Sequence, residues 1–358
     1  MAAVFLHANA GVSFFFILSG FVLTWSTRPQ DGRAQFYRRR FARIYPSHAA
    51  TWLVAILIIF FTNGQLNVAT AVLNLSLLQS WSPNQSVFLS INGVSWSLAC
   101  EAFFYACFPL LLGVTKRLEK RTLWAGLMLA PWLIVGTAYL AAGLPSTSTA
   151  IWVTTYLPAT RLVEFCIGIL LAQLVKHRAF PRISLTLGIG AALFGIGGSS
   201  LPGHVPGVPA EVGFVAMAVP GLALLIVAAA QSDVERSVSL LRWRPLVRLG
   251  EWSFAFYLVH ELLIEQAVRG GLMGNTLFGV VAAGAILFIV SVLTAFLLYS
   301  TVERPAERQL RSRSHRSRRH IAGKPPLPEP TSRSDPIDLN SNIVIPKSSS
   351  LSPSDTTP

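Results

Sequence analysis

The chain has 358 residues, 52% of them hydrophobic and 13% charged. An ordinary soluble domain, with about a quarter of its residues charged, is excluded by that balance. The net charge of +13 does not indicate nucleic acid, because the basic residues sit between apolar runs and in the tail, where acidic lipid headgroups are their partners.

In chain order, apolar runs at 11–27, 47–62, 94–114, 123–142, 159–176, 184–200, 211–230, 250–268 and 277–300 predict nine transmembrane helices. Each approaches the length needed to cross a hydrocarbon core of roughly 30 Å. The run at 68–81 is too short to cross and reads as an interfacial or re-entrant piece. Arginines and lysines follow the odd-numbered runs (Arg38 to Arg43, Lys116 to Arg121, Lys176 to Arg182, Arg236 to Arg248, Arg304 to Arg319), whereas loops after even-numbered runs are poor in them. The positive-inside rule then predicts a cell-membrane protein with a cytoplasmic C-terminus and an external N-terminus. Residues 1–10 carry neither a basic n-region nor a cleavage site, so one further helix upstream is expected. The fold class is all-α, a polytopic transmembrane bundle over 1–302. A basic and then Pro/Ser-rich tail over 303–358 is expected to be disordered.

Ionisable groups inside the apolar runs are costly and stand as functional candidates. They are Glu101, Arg161, Glu164, His260, Glu261 and Glu265. Glu101 falls about 10 Å below the outer surface of its helix, with Trp96 at the interface above and Tyr105 one turn beneath on the same face. A carboxylate there can serve as a general base or orient a reacting group, or it can pair structurally with Arg161 or Arg43. Arg40 and Arg43, three residues apart, share a helical face suited to gripping phosphate oxygens, or to binding inner-leaflet lipid. Ser13, Ser19 and Gly20 in "GVSFFFILSGFVLTWS" suit close helix packing. Cys100, Cys107 and Cys166, an odd set within apolar runs, give no disulfide framework and no metal spacing. No Walker loop, metal-binding histidine pair or nucleophile elbow is present.

The ordered set "GVSFFFILSGFVLTWS", "FYRRRFARIYP", "NGVSWSLACEAFFYACFPLLL", "GEWSFAFYLVHELLIEQ" and "FLLYSTVERPAERQLR" resembles the acyltransferase 3 family of integral-membrane O-acyltransferases, over about residues 8–310. The resemblance implies transfer of an acyl group, commonly acetyl from cytoplasmic acetyl-CoA, to a hydroxyl of a sugar, polysaccharide or macrolide-type acceptor. It implies acyl-CoA as co-substrate, with no bound cofactor and no metal. Arg40 and Arg43 match the family's donor-binding RxxR, and Ser19 with Gly20 match a motif beside the donor path. Glu101 matches the acidic residue of WSLxxExxFY. His260 matches the histidine of "YLVH", whose role is packing, helix bending or catalysis.

The family has ten helices, and its first carries an Arg and a catalytic His. Here the "FFILSGF" helix comes first, and His7 is the residue nearest to that histidine's place. The expectation is therefore a start upstream of Met1, or a truncated and inactive chain. Readings from other classes are a transporter or flippase using Glu101, Glu164 and His260, and a non-catalytic scaffold. A transporter would show an inverted repeat, and the sequence has none.

Overall fold

The computed structural model describes residues 2–28, 32–198, 210–235, 243–272, 274 and 276–309, with side chains from residue 9 onward except those of 198 and 210–214. Among these residues the chain is helical, without strands. The elements are α1 (Ala2–Ser26), α2 (Arg33–Phe61), α3 (Val68–Leu75), α4 (Gln85–Phe88), α5 (Trp96–Thr115) and α6 (Lys120–Ala142). They continue with α7 (Thr147–Ile151), α8 (Pro158–Lys176), α9 (Leu185–Gly198), α10 (Ala210–Val234), α11 (Arg244–Arg269) and α12 (Leu277–Leu298). A wider π-turn, Tyr299–Glu303, prolongs α12, and helix then continues to Gln309.

All nine expected spans are helices. Seven are long and apolar enough to cross a membrane, so this is a multi-pass membrane protein. The other two differ for local reasons. Helix α9 has only 14 residues, rich in glycine, and α11 has 26 but carries Arg248, Glu251, Glu261 and Glu265. Helix α12 has the surface expected of a span that meets lipid: Leu277, Phe278, Val281, Ile286 and Leu293 are all exposed on its outside.

Two boundaries move. Helix α2 begins at Arg33 rather than 47, so the basic cluster is part of the helix and not of a loop. Helix α1 begins at Ala2 rather than 11, and His7 lies within it. The side chain of His7 lies outside the described residues, as do residues 310–358 of the expected tail. The piece at 68–81 is a short helix and a 3₁₀ turn, the start of an irregular stretch that reaches Ser95.

Helices α1 and α8 form the centre, side by side and running in the same direction. Ser13 meets Glu164 and, further along, Thr24 meets Lys176. Between these points the backbones nearly touch. A Cβ on Gly20 would lie 2.1 Å from the carbonyl oxygen of Phe165, and one on Gly168 would lie 2.0 Å from that of Ile17. Without a hydrophobic drive between helices in lipid, this small-residue approach supplies the packing. Helix α5 lies along α1 in the same sense, and α2 runs the opposite way, with Phe36 stacked on Phe108 and Arg40 beside Tyr105. Two apolar clusters fill the bundle, one joining α1 and α8 to α6 and α10, the other joining them to α5 and α11.

Candidate active site

Helices α1, α2 and α5 bring four of the sequence candidates together. Glu101 is 2% exposed. One of its oxygens, Oε1, accepts a hydrogen bond from the Ser19 hydroxyl at 3.0 Å and another from the Tyr105 hydroxyl. Its second oxygen has no hydrogen-bond partner among the described residues. Tyr105, one turn along α5 as the spacing predicts, carries the guanidinium of Arg40 5.9 Å above its ring. A chain of polar contacts therefore runs Arg40, Tyr105, Glu101, Ser19. Its arginine end opens on a cleft of about 530 Å³ between α2, α11 and the end of the last helix, edged by Arg39, Arg40, Arg43, Glu251, Tyr299 and Glu307.

Such a constellation can do two things chemically. A carboxylate shielded from water and approached by two hydroxyls can move a proton at Oε2 while Oε1 stays anchored. A guanidinium on a basic cleft can receive an anion, because its fork matches phosphate oxygens.

Glu101 takes neither of the structural partners weighed for it. Arg43 pairs with Glu303 and, at 3.3 Å, with Glu307. Arg161 pairs with Glu164 at 3.0 Å, three residues along the same helix. Ser13 completes that second constellation, donating to Glu164 at 3.0 Å and accepting from Arg161 at 3.2 Å. A small cavity of about 20 Å³, room for a water-sized group, is lined there by Thr155, Thr160, Arg161 and Glu164. Removing one charge from so buried a pair strands the other, at a cost of about 3–5 kcal/mol. Arg161→Leu is therefore expected to lower the unfolding temperature sharply in detergent. The double variant with Glu164→Leu is expected to recover most of the loss.

The remaining candidates do not join the Glu101 site. Trp96 is buried rather than interfacial, because Phe16 of α1 at 6.2 Å and Tyr156 of the turn before α8 at 4.9 Å pack edge-on against its ring. His260 bonds the carbonyl of Tyr257 at 2.8 Å and stacks on Phe256, both in its own helix.

Two ionisable residues escape the sequence reading. Glu303, the first residue of the tail by sequence, is fully buried. His48, just past the basic cluster, is fully buried too, with Nε2 3.1 Å from the carbonyl of Asn74. Asn74 also donates to Ser90 and Ser95, Gln79 to Ser95, and Asn92 to the carbonyl of Leu258. This network satisfies the irregular backbone before α5, as non-helical chain at membrane depth requires. His48 falls inside the apolar run 47–62, so a complete count of ionisable residues in that run finds it.

Residues 3–300 match the family described as an acyltransferase domain. The acyltransferase MdmB of Streptomyces mycarofaciens is 36% identical over 327 residues, covering 84% of this chain and 81% of that protein. The exopolysaccharide production protein ExoZ of Rhizobium meliloti (strain 1021) is 28% identical over 337 residues, covering 89% of this chain and 95% of that protein. Nodulation protein 10 of Rhizobium leguminosarum bv. viciae is 25% identical over 321 residues, covering 84% and 83%. No solved structure matches the chain. With the family match spanning most of the bundle and a well-covered relative above 30% identity, the chain belongs to the acyltransferase 3 family of membrane proteins.

Proposed function

We propose that the protein moves an acyl group, acetyl in the first instance, from acyl-CoA to a hydroxyl of a carbohydrate or similar acceptor in the cell membrane. The observation that carries this reading is the polar chain from the arginine cleft to Glu101. The cleft is basic, open and sized for part of a nucleotide-like donor, and Arg40 at its edge touches Tyr105, which donates to Glu101.

In this reading the arginine end faces the cytoplasm, as the distribution of Lys and Arg between the loops favours. Arg40 receives the donor's phosphates. The thioester reaches into the bundle toward Ser19 and Glu101. Glu101 takes the proton of the acceptor hydroxyl through Oε2 as that hydroxyl's oxygen bonds the acyl carbon. The C–S bond breaks, and the proton passes on to the departing thiolate, so that coenzyme A leaves as the thiol. The similarity to ExoZ, an exopolysaccharide production protein, supports a carbohydrate acceptor.

Kinetics at Arg40 test the reading. Arg40→Lys keeps the charge but loses the fork, and is expected to raise the KM for acetyl-CoA by about tenfold. Arg40→Ala is expected to raise it further. Unchanged donor kinetics in both variants would remove Arg40 from donor binding.

A further inference from the structure

The two arginines of the RxxR pair do not stand in the same condition. Nη1 of Arg43 donates to the Oε1 atoms of both Glu303 and Glu307. Its guanidinium also lies 5.7 Å over the ring of Phe254. One side chain on α2 thus ties together α11 and the end of the last helix. Arg40 has no carboxylate partner among the described residues and lies over Tyr105.

We propose that Glu303 is a positioning residue: it holds Arg43 as a strut between three helices and so leaves Arg40 as the guanidinium that meets the anionic donor. This rests on the reading of the cleft as the donor's entrance. Three observations carry it. Glu303 is 0% exposed and its second oxygen is unpartnered among the described residues, so Arg43 supplies its compensating charge. The wide turn Tyr299–Glu303 adds a residue to the helical repeat at the point where the carboxylate must face α2, a device found at functional positions in helices. Finally, two carboxylates lie against Arg43 and offset its attraction for an incoming anion, whereas Arg40, on the same cleft, has no carboxylate within ion-pair distance among the described residues.

The test uses the full chain in lipid nanodiscs. Coenzyme A binding is read by calorimetry, acetyl-CoA turnover by thiol release, and stability by thermal unfolding. Arg43→Leu alone strands Glu303 and is expected to unfold at lower temperature. Arg43→Leu with Glu303→Leu replaces the pair with apolar side chains and is expected to recover the unfolding temperature and to bind coenzyme A within about threefold of the wild type. Arg43→Lys, which still answers Glu303 with a charge, is also expected to bind within about threefold. Arg40→Ala is expected to weaken binding about tenfold or more with little change in unfolding temperature. If Arg43→Lys and the double variant weaken binding as much as Arg40→Ala does, Arg43 grips the donor itself and the strut is overturned. A double variant that stays as unstable as Arg43→Leu overturns it as well. If wild-type protein binds no coenzyme A, the donor reading falls, and recovery of stability in the double variant still decides the strut.

Discussion

Glu101→Gln is expected to lower acyl transfer by roughly 10²–10⁴-fold, the usual worth of positioned acid–base help. The substitution is chosen because glutamine has the same shape and its amide oxygen can still accept from Ser19 and Tyr105, the two bonds that anchor the carboxylate. What it cannot do is take a proton at the position of Oε2. Thermal unfolding within a few degrees of the wild type, together with the lost rate, would assign the loss to chemistry and not to packing. A rate within tenfold of the wild type would take Glu101 out of the proton transfer and leave it a buried hydrogen-bond hub.

Gly168→Ala is expected to have the largest effect on assembly. The new methyl carbon would lie 2.0 Å from the carbonyl oxygen of Ile17 and 2.7 Å from the nitrogen of Phe21. Both are backbone atoms in the middle of a helix, so neither can swing aside, and α1 must move off α8. Overpacking of this kind costs about 1–3 kcal/mol or more. The loss spreads, because the same helix delivers Ser13 to Glu164 and Ser19 to Glu101. Size-exclusion recovery and unfolding temperature are both expected to fall. Gly113→Ala and Gly136→Ala are the controls, since a Cβ at either glycine meets nothing within 4 Å. They are expected to be neutral or slightly stabilising, alanine being the better helix former.

How far the sequence is legible follows from which physical rule applied where. The span pattern reads well because hydrocarbon thickness and helical rise leave little freedom. Glu101 and Tyr105 were legible as a pair because four residues make one turn, and the structure joins them as that spacing requires. The partner of Glu101 was not legible. Two cations are open to it from the sequence, and only the tertiary arrangement shows Arg161 satisfied by Glu164 within its own helix and Arg43 by Glu303 some 260 residues away.

Ser19 and Gly20 answer to different constraints, although one motif holds both. Ser19 donates to a carboxylate, while Gly20 lets α1 touch α8. Composition could suggest small-residue packing for both but could not separate them. The start of α2 is not legible because arginine in a sequence reads as loop, whereas long basic side chains at a helix end can extend toward water while the backbone stays helical. The general preference of tryptophan places Trp96 at an interface, and that preference gives way to aromatic packing against Phe16 and Tyr156.

Entry of an acyl-CoA donor at the arginine end and its use at Glu101 make turnover depend on which face of the membrane meets the donor. Membranes bearing the wild-type chain are prepared as inside-out and as right-side-out sealed vesicles, and thiol release from added acetyl-CoA is followed, with Glu101→Gln vesicles as background. The expected result is turnover in inside-out vesicles, where the face carrying Arg40 is exposed to the added donor, and none in right-side-out vesicles until they are permeabilised. Equal turnover in both orientations, or turnover confined to right-side-out vesicles, would contradict the account.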